Sequence, residues 1–359
     1  MAISDQTPRI EERAHVSVMS RIILSQYSIL GVTVVYFVVC WLFFPRILSI
    51  RNIDNIFSNV WPLLAVAIGQ MFVLIVAGID LSQTSIMALT SVIGSLLITN
   101  KLDPNLFAKS PFWGWLISAS GGPLAHQPGA VLIAVLVMLI VGTIVGILNG
   151  VSVALFRMPP FMVTLVSMIL FSALAIFLPK SQNIMNLPQS FNDLGQGRLG
   201  VIPIPLIIGI LLIGLVYIIL QRTLVGRWLY GIGHNPKAAR ISGIPVRSVT
   251  VFAYAMSGFC AAIAAIMYSG QLEMGRPTLG STLLLDIVGA NIIGGVSLFG
   301  GRGRVGWAFI GVFFFIILAN TLNFMNLSVY LIDVIKGAII LGATFLDVAR
   351  RRLAARQMA

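Results

Sequence analysis

The feature that most constrains this chain is a succession of around ten long apolar stretches, each close to the ~20 residues a helix needs to cross a hydrocarbon core of roughly 30 Å. They fall near Ile22–Phe44, Val60–Ala77, Ser82–Ile98, Ala130–Phe156, Phe161–Leu178, Val201–Leu220, Val249–Ser269, Ser281–Leu298, Val305–Leu322 and Ser328–Leu346. Pro159 and Pro160, Pro203 and Pro205, and Gly300, Gly301 and Gly303 lie at the breaks, where a missing amide donor or a loose backbone does least harm. The predicted fold is all-α: a polytopic transmembrane helix bundle of about 10 spans.

Composition removes the alternatives. Of the residues, 58% are hydrophobic and 9% charged, against roughly 25% charged in an ordinary soluble domain, so a water-soluble surface cannot be built. The net charge of +12 raises the question of nucleic acid, but Lys and Arg sit in short clusters between apolar runs, and no nucleic-acid partner is expected. The clusters read as topology. Arg157, Arg222, Arg227, Lys237, Arg240, Arg247, Arg302, Arg304 and the Arg350 to Arg352 run all fall on one side if the amino terminus is inside, which places both termini in the cytoplasm. The chain then divides into a cytoplasmic segment 1–21, a membrane domain 22–346 with its largest inside loop at 221–248, and a basic cytoplasmic tail 347–359. The first apolar stretch is long and lacks an Ala-x-Ala site, which reads as an uncleaved anchor. Cys40 and Cys260 lie inside apolar runs and read as core residues. The outside loop Thr99–Gly129, with Phe112, Trp113 and Trp115, reads as an interfacial hairpin with an aromatic anchor.

Four segments interrupt this apolar monotony. In Gly78-Ile79-Asp80-Leu81-Ser82, an acidic residue is wedged between two spans, where it is costly unless paired or wet; it is either a cap on exposed amides or part of a gate, and Ser82 has the hydroxyl of a helix start. Asn149-Gly150 precedes a tight turn through Pro159 and Pro160 and the run Phe161 to Leu165, which includes Thr164. An amide there serves as glue between helices or as a solute contact. The loop Gln221–Ser248 has five basic residues and no acid, and within it Asn235 and Pro236 give a helix start and Gly243 a stop. Its short helix carries Ala238 and Ala239, a small smooth surface that can seat in a partner's groove. The fourth segment, Asp286 to Gly303, holds Asn291 and so many glycines that it permits either close helix contact or a broken, re-entrant backbone. On the last span, Asp333 and Lys336 are three apart and read as an ion pair on one helix face.

In this order and spacing the segments resemble the ribose, xylose and arabinose type of ABC importer permease, within a larger group that includes branched-chain amino acid permeases. The resemblance covers Asn52 to Arg351. It implies a bacterial inner-membrane, multi-pass subunit that moves a sugar or sugar-like solute by alternating access. It further implies a second permease subunit, identical or not, partner ATPase subunits that carry the ATP and Mg, and a periplasmic solute-binding protein. The helix with paired alanines resembles the loop by which importers dock on their ATPase, which assigns coupling to Asn235, Lys237, Ala238, Ala239, Arg240 and Gly243; Lys237 stands where the fuller motif has an acid. Candidates for the solute path are Asp80, Ser82, Asn149, Thr164, Asp286 and Asn291. The sequence departs from the group at Gln83-Thr84, where a Val-Gly pair is usual, and in the length of the Thr99–Gly129 loop.

No phosphate-binding Gly-x4-Gly-Lys-Ser/Thr, His-Glu-x-x-His or Gly-x-Ser-x-Gly pattern occurs, and the three histidines fall outside the apolar stretches. No catalytic residue, metal site or cofactor of its own is expected. The competing reading is an ion-coupled secondary transporter, which would need buried ion ligands at mid-membrane; Asp286 and Asp333 are the carboxylates available.

Overall fold

The structure, a computed structural model, describes residues 28–358, with side chains over 30–345. The expected cytoplasmic segment 1–21, the start of the first apolar stretch and the basic side chains of the tail lie outside the described residues. The elements in order are α1 (Ser28–Phe43), a 3₁₀ turn (Pro45–Leu48), α2 (Ile50–Ile75), α3 (Gln83–Ile98), α4 (Pro104–Phe107), α5 (Ala130–Ala154), α6 (Pro160–Phe177) and α7 (Gln189–Gln196). A two-residue ribbon, β1 (Arg198–Leu199) against β2 (Ile202–Pro203), leads into α8 (Ile204–Arg222). Then follow α9 (Leu224–His234), α10 (Pro236–Ile241), α11 (Val246–Leu272), α12 (Leu284–Ile293), α13 (Val305–Phe324) and α14 (Val329–Met358).

Each apolar stretch carries a helix, but the helices are unequal. Among the described residues six helices, α2, α5, α6, α8, α11 and α13, are long and apolar enough to cross a membrane. Three apolar helices are shorter: α1 over Leu30–Phe43, α3 and α12. At about 1.5 Å per residue the ten residues of α12 rise only about 15 Å, half a hydrocarbon core, and the chain then turns at Gly294 and Gly295, the latter at φ +77°. The glycine-rich segment is therefore broken, and not a continuous span over Ser281–Leu298. In the other direction, α2 starts ten residues before the apolar run at Val60, because the helical backbone continues through the polar Arg51 to Asn59 without needing lipid around it.

Burial sorts the helices into layers. In the most apolar window of α2, 89% of residues are buried, against 22% in α6, so α2 is a central post and α6 is peripheral. Around α2 pack α11, α13, α12 and α8, while α5 and α3 pack on α11. The outer helices turn Val35, Leu170, Leu211 and Val334 outward, the apolar exterior that lipid requires. The tightest seam is between α5 and α11. Gly142, Gly146 and Gly150 recur every four residues along one face of α5, and a Cβ on any of them would strike α11 at Gly258, Tyr254 or Val251. Small residues let the two backbones approach to contact, the usual source of helix association where lipid removes the hydrophobic drive.

The Thr99–Gly129 loop is strapped to the bundle. Asp103 caps α4 by accepting from the Asn105 amide at 2.9 Å, Ser110 Oγ donates to the Leu178 carbonyl at 2.7 Å, and the Gly122 amide donates to the Thr99 carbonyl at 2.9 Å. Trp115 is exposed and lies against Phe112, ring centres 6.0 Å apart. Both cysteines are free and buried.

Candidate functional site

The chain break between α2 and α3 brings Asp80 into the middle of four helices. Its Oδ1 accepts from the Ser82 amide at 2.9 Å and from the Ser82 hydroxyl at 2.6 Å; its Oδ2 accepts from Ser257 Oγ of α11 at 2.6 Å. Asn149 Nδ2 of α5 donates to Ser82 Oγ at 2.8 Å, and Gln83 Nε2 donates to Ser257 Oγ at 2.8 Å. Thr164 of α6 closes the ring by donating to the Ile79 carbonyl at 3.2 Å. One Asp80 oxygen orders the local turn, as the capping reading expected, and the other ties that turn to α11. Ser82 does not cap α3 through its side chain, because its hydroxyl is spent on the carboxylate.

These groups are sealed. Asp80, Ser82, Gln83, Thr164 and Ser257 are 0% exposed and Asn149 is 3% exposed, so in this conformation the cluster is a joint between helices and not a wetted wall. Tyr254 is fully buried beside it with an unpartnered hydroxyl. Of the six path candidates read from the sequence, the structure brings Asp80, Ser82, Asn149 and Thr164 together and leaves Asp286 and Asn291 apart; the sequence reading missed Gln83, Ser257 and Tyr254 as members of this cluster. A buried carboxylate needs several donors, and that demand is the signal that could have found Ser257.

The remaining path candidates lie on α12. Asn291, also 0% exposed, donates to the Ala67 carbonyl of α2 and the Ile287 carbonyl of its own helix, both at 2.9 Å. Asp286 faces Lys336 of α14, with Nζ 2.7 Å from Oδ1 and 2.9 Å from Oδ2; only the Oδ2 contact has the angles of a hydrogen bond. Lys336 therefore pairs across to α12 and not with Asp333 on its own helix, since both Asp286 and Lys336 turn inward while Asp333 is half-buried. Asp286 also lines a cavity of about 220 Å³.

The loop between α8 and α11 folds as two short helices. Asn235 caps α10, its Oδ1 accepting from the Lys237 and Ala238 amides at 3.0 Å each, and Pro236 occupies the first turn. At the other end the Ile244 amide donates to the Ala239 carbonyl and the Gly243 amide to the Arg240 carbonyl, with Gly243 at φ +81°. These are the two hydrogen bonds of a Schellman stop, and they explain why glycine stands there. The paired alanines do not share a face. Ala238 is exposed, Ala239 is buried in the core, and the outward surface is completed by Ile241, 88% exposed, which sequence reasoning overlooked.

Behind α10, α9 is locked to the glycine-rich loop. Tyr230 donates from its hydroxyl to the Gly303 carbonyl at 2.7 Å, and the Gly301 amide donates to the Ile75 carbonyl, the last residue of α2, at 2.9 Å. Burial raises the Tyr230 phenol above its usual range, offset in part by Arg304, so it stays a donor. Gly233 has no room for a Cβ between the Ile75 carbonyl and the Gly301 amide. A continuous set of contacts therefore runs from α10 through α9 and the glycine loop to the break that carries Asp80.

Among the described residues no group of three or more His, Cys, Asp or Glu side chains is placed to hold a metal. A family model described as branched-chain amino acid transport system / permease component matches residues 52–344. The chain is 30% identical to the ribose import permease protein of Haemophilus influenzae, over 92% of this chain and 94% of that one. It is 34% identical to the ribose import permease protein of Bacillus subtilis, over 84% and 86%. It is 28% identical to the L-arabinose ABC transporter permease protein of Azospirillum brasilense, over 92% and 89%. No solved structure matches.

Proposed function

The chain belongs to the branched-chain amino acid transport system / permease component family, and from that premise we propose how its geometry serves transport. It is the permease subunit of an ABC importer for a sugar: an integral membrane protein and a transport component, not an enzyme. Our reading places it in the bacterial inner membrane with about ten helical passes, three of them short or broken, and both termini in the cytoplasm. The fifteen or so basic residues of the inside loops support that orientation. Its partners are an ATPase that binds ATP and Mg, a second permease subunit and a periplasmic solute-binding protein.

The observation that carries the mechanism is α10. A six-residue helix is capped at both ends by its own chain, presents Ala238 and Ile241 outward beside the exposed Lys237 and Arg240, and rests through α9 on the break beside Asp80. An exposed isoleucine on a short rigid helix is a poor lipid anchor and a good plug for a protein groove. When the ATPase subunits close on ATP, α10 moves with them, and the contacts behind it convert that movement into a rearrangement at the α2–α3 break. Asp80, Ser82, Asn149 and Thr164 form the hinge of this rearrangement, where a bistable hydrogen-bonded joint can pass between two arrangements. Neutralisation of Asp286 by Lys336 argues against the ion-coupled alternative, because it leaves that carboxylate already paired.

The test is to replace Ile241 by Asp and, separately, Ala238 by Arg, both outward-facing. Each variant should remain in the membrane yet lose ATPase copurification and sugar uptake by tenfold or more, whereas Val201→Asp, equally exposed at 87% in the β1–β2 turn, should change neither. Wild-type copurification of Ile241→Asp would end the docking assignment.

A further inference from the structure

Apart from Asp286, the path candidates that the sequence singled out are sealed, and the accessible polar surface inside the bundle lies elsewhere. The cavity of about 220 Å³ is bounded by α2, α11, α12 and α13 and carries Asn55, Asn59, Asn320 and Asn323, with Asp286 and Tyr268. Its position follows from α2. The last residue of that helix, Ile75, is hydrogen-bonded to the glycine loop beside α9, and Asn59 lies sixteen residues earlier, about 24 Å away along the axis. The cavity is therefore at the end of the bundle opposite α10. Asn55 and Asn323 stand exposed at its rim, and Asp286, 8% exposed, lies within.

Its hydrogen-bonding capacity is incompletely used. Asn59 Nδ2 donates to the Asn55 carbonyl and to Asn55 Oδ1, which leaves Asn55 Nδ2 and Asn59 Oδ1 without a side-chain partner among the described residues. Asn323 has no side-chain hydrogen bond there either. Asn320 exchanges hydrogen bonds with Asn52, which fixes α13 to α2 and holds the wall in place. Asp286 Oδ1 faces the lysine without a hydrogen bond of proper angle. Free amide groups that both donate and accept and the ring of Tyr268 form the surface that a neutral polyhydroxylated molecule fits: each hydroxyl is donor and acceptor at once, and the C–H face of a sugar lies on an aromatic ring. The charge balance argues against charged cargo. Because Lys336 cancels Asp286, the cavity has no unpaired charge to hold the ammonium or carboxylate of an amino acid.

The geometry points to this asparagine-lined cavity as the entry subsite for a neutral polyol solute, with Asn55, Asn59 and Asn323 as its contacts and the Asp80 cluster as a separate hinge that solute does not touch in this state. The assignment rests on the importer reading above. It is tested on the assembled importer, permease with ATPase and solute-binding protein, in proteoliposomes, using whichever monosaccharide the unaltered complex takes up, beginning with D-ribose and L-arabinose. Asn59→Leu and Asn323→Leu should each lower sugar uptake at least tenfold while ATPase copurification stays within twofold. In Asn323→Cys, a bulky thiol reagent applied from the side of the membrane opposite α10 should block uptake, and excess of the sugar should protect, whereas L-leucine should not; native Cys40 and Cys260 are buried. Uptake unchanged in both leucine variants, or labelling that the sugar does not slow, overturns the subsite and leaves the docking of α10 intact. If the unaltered complex imports no monosaccharide at all, the importer reading fails, and the subsite with it.

Discussion

Lys336 of α14 and Asp286 of α12 form a buried ion pair at 2.7 Å between residues fifty positions apart in the chain. The pair does two things at once. It pins the final helix to a helix too short to cross the membrane, and it allows a carboxylate to line a cavity without charging it. A charge buried in this way is stable only while its partner is present, since the desolvation of either group alone is costly.

Removing one member should therefore hurt more than removing both. Lys336→Met is expected to destabilise the detergent-solubilised protein by about 3 kcal/mol or more, Asp286→Asn by a smaller amount, and the double variant should be more stable than Lys336→Met alone. Melting curves of the four proteins form the cycle. An additive double variant would show that the two side chains do not interact.

At the hinge, Asp80→Ala strands the donors of Ser82 and Ser257 and should cost about 1–3 kcal/mol for the lost acceptors, whereas Asp80→Asn keeps one oxygen for Ser82 and should retain most stability. Uptake separates hinge from mere glue. In Asp80→Asn the amide nitrogen meets Ser257, which already accepts from Gln83, and transport should fall several-fold while melting temperature moves by only a few degrees. Transport that tracks stability in both variants would reduce the cluster to packing.

The α5–α11 seam predicts opposite outcomes for two glycines. Gly258→Ala places a methyl against the Gly142 carbonyl and should destabilise by about 1–3 kcal/mol, the usual cost of overpacking. Gly214→Ala, in α8 with nothing within 4 Å, should be neutral or stabilising, because alanine is the better helix former. Thermal melts of the two variants in the same detergent decide it.

Much of this architecture was legible in the sequence because bilayer crossing leaves a coarse mark: a run of apolar residues of fixed length. Asn235, Pro236 and Gly243 bracketed α10 correctly, since capping is local chemistry. What depended on tertiary geometry was not legible. Lys336 was matched to Asp333 because spacing shows only neighbours on the same helix, while its true partner arrives through packing. Ala238 and Ala239 looked like one surface, but adjacent helical residues point about 100° apart, and one is buried. Asn55, Asn59, Asn320 and Asn323 carried no reading from the sequence at all. Their spacings of four and three place each pair on one helix face, but only the fold brings the two faces to the same cavity.

The links from α9 to the glycine loop and on to α2 are made by a phenol, backbone amides and carbonyls, none of which carries net charge. Ionic strength therefore has little hold on the internal linkage. Concentrated salt would weaken the grip of the basic loop on its partner by screening Lys237 and Arg240, while the path that passes the stroke inward would remain as stiff as before.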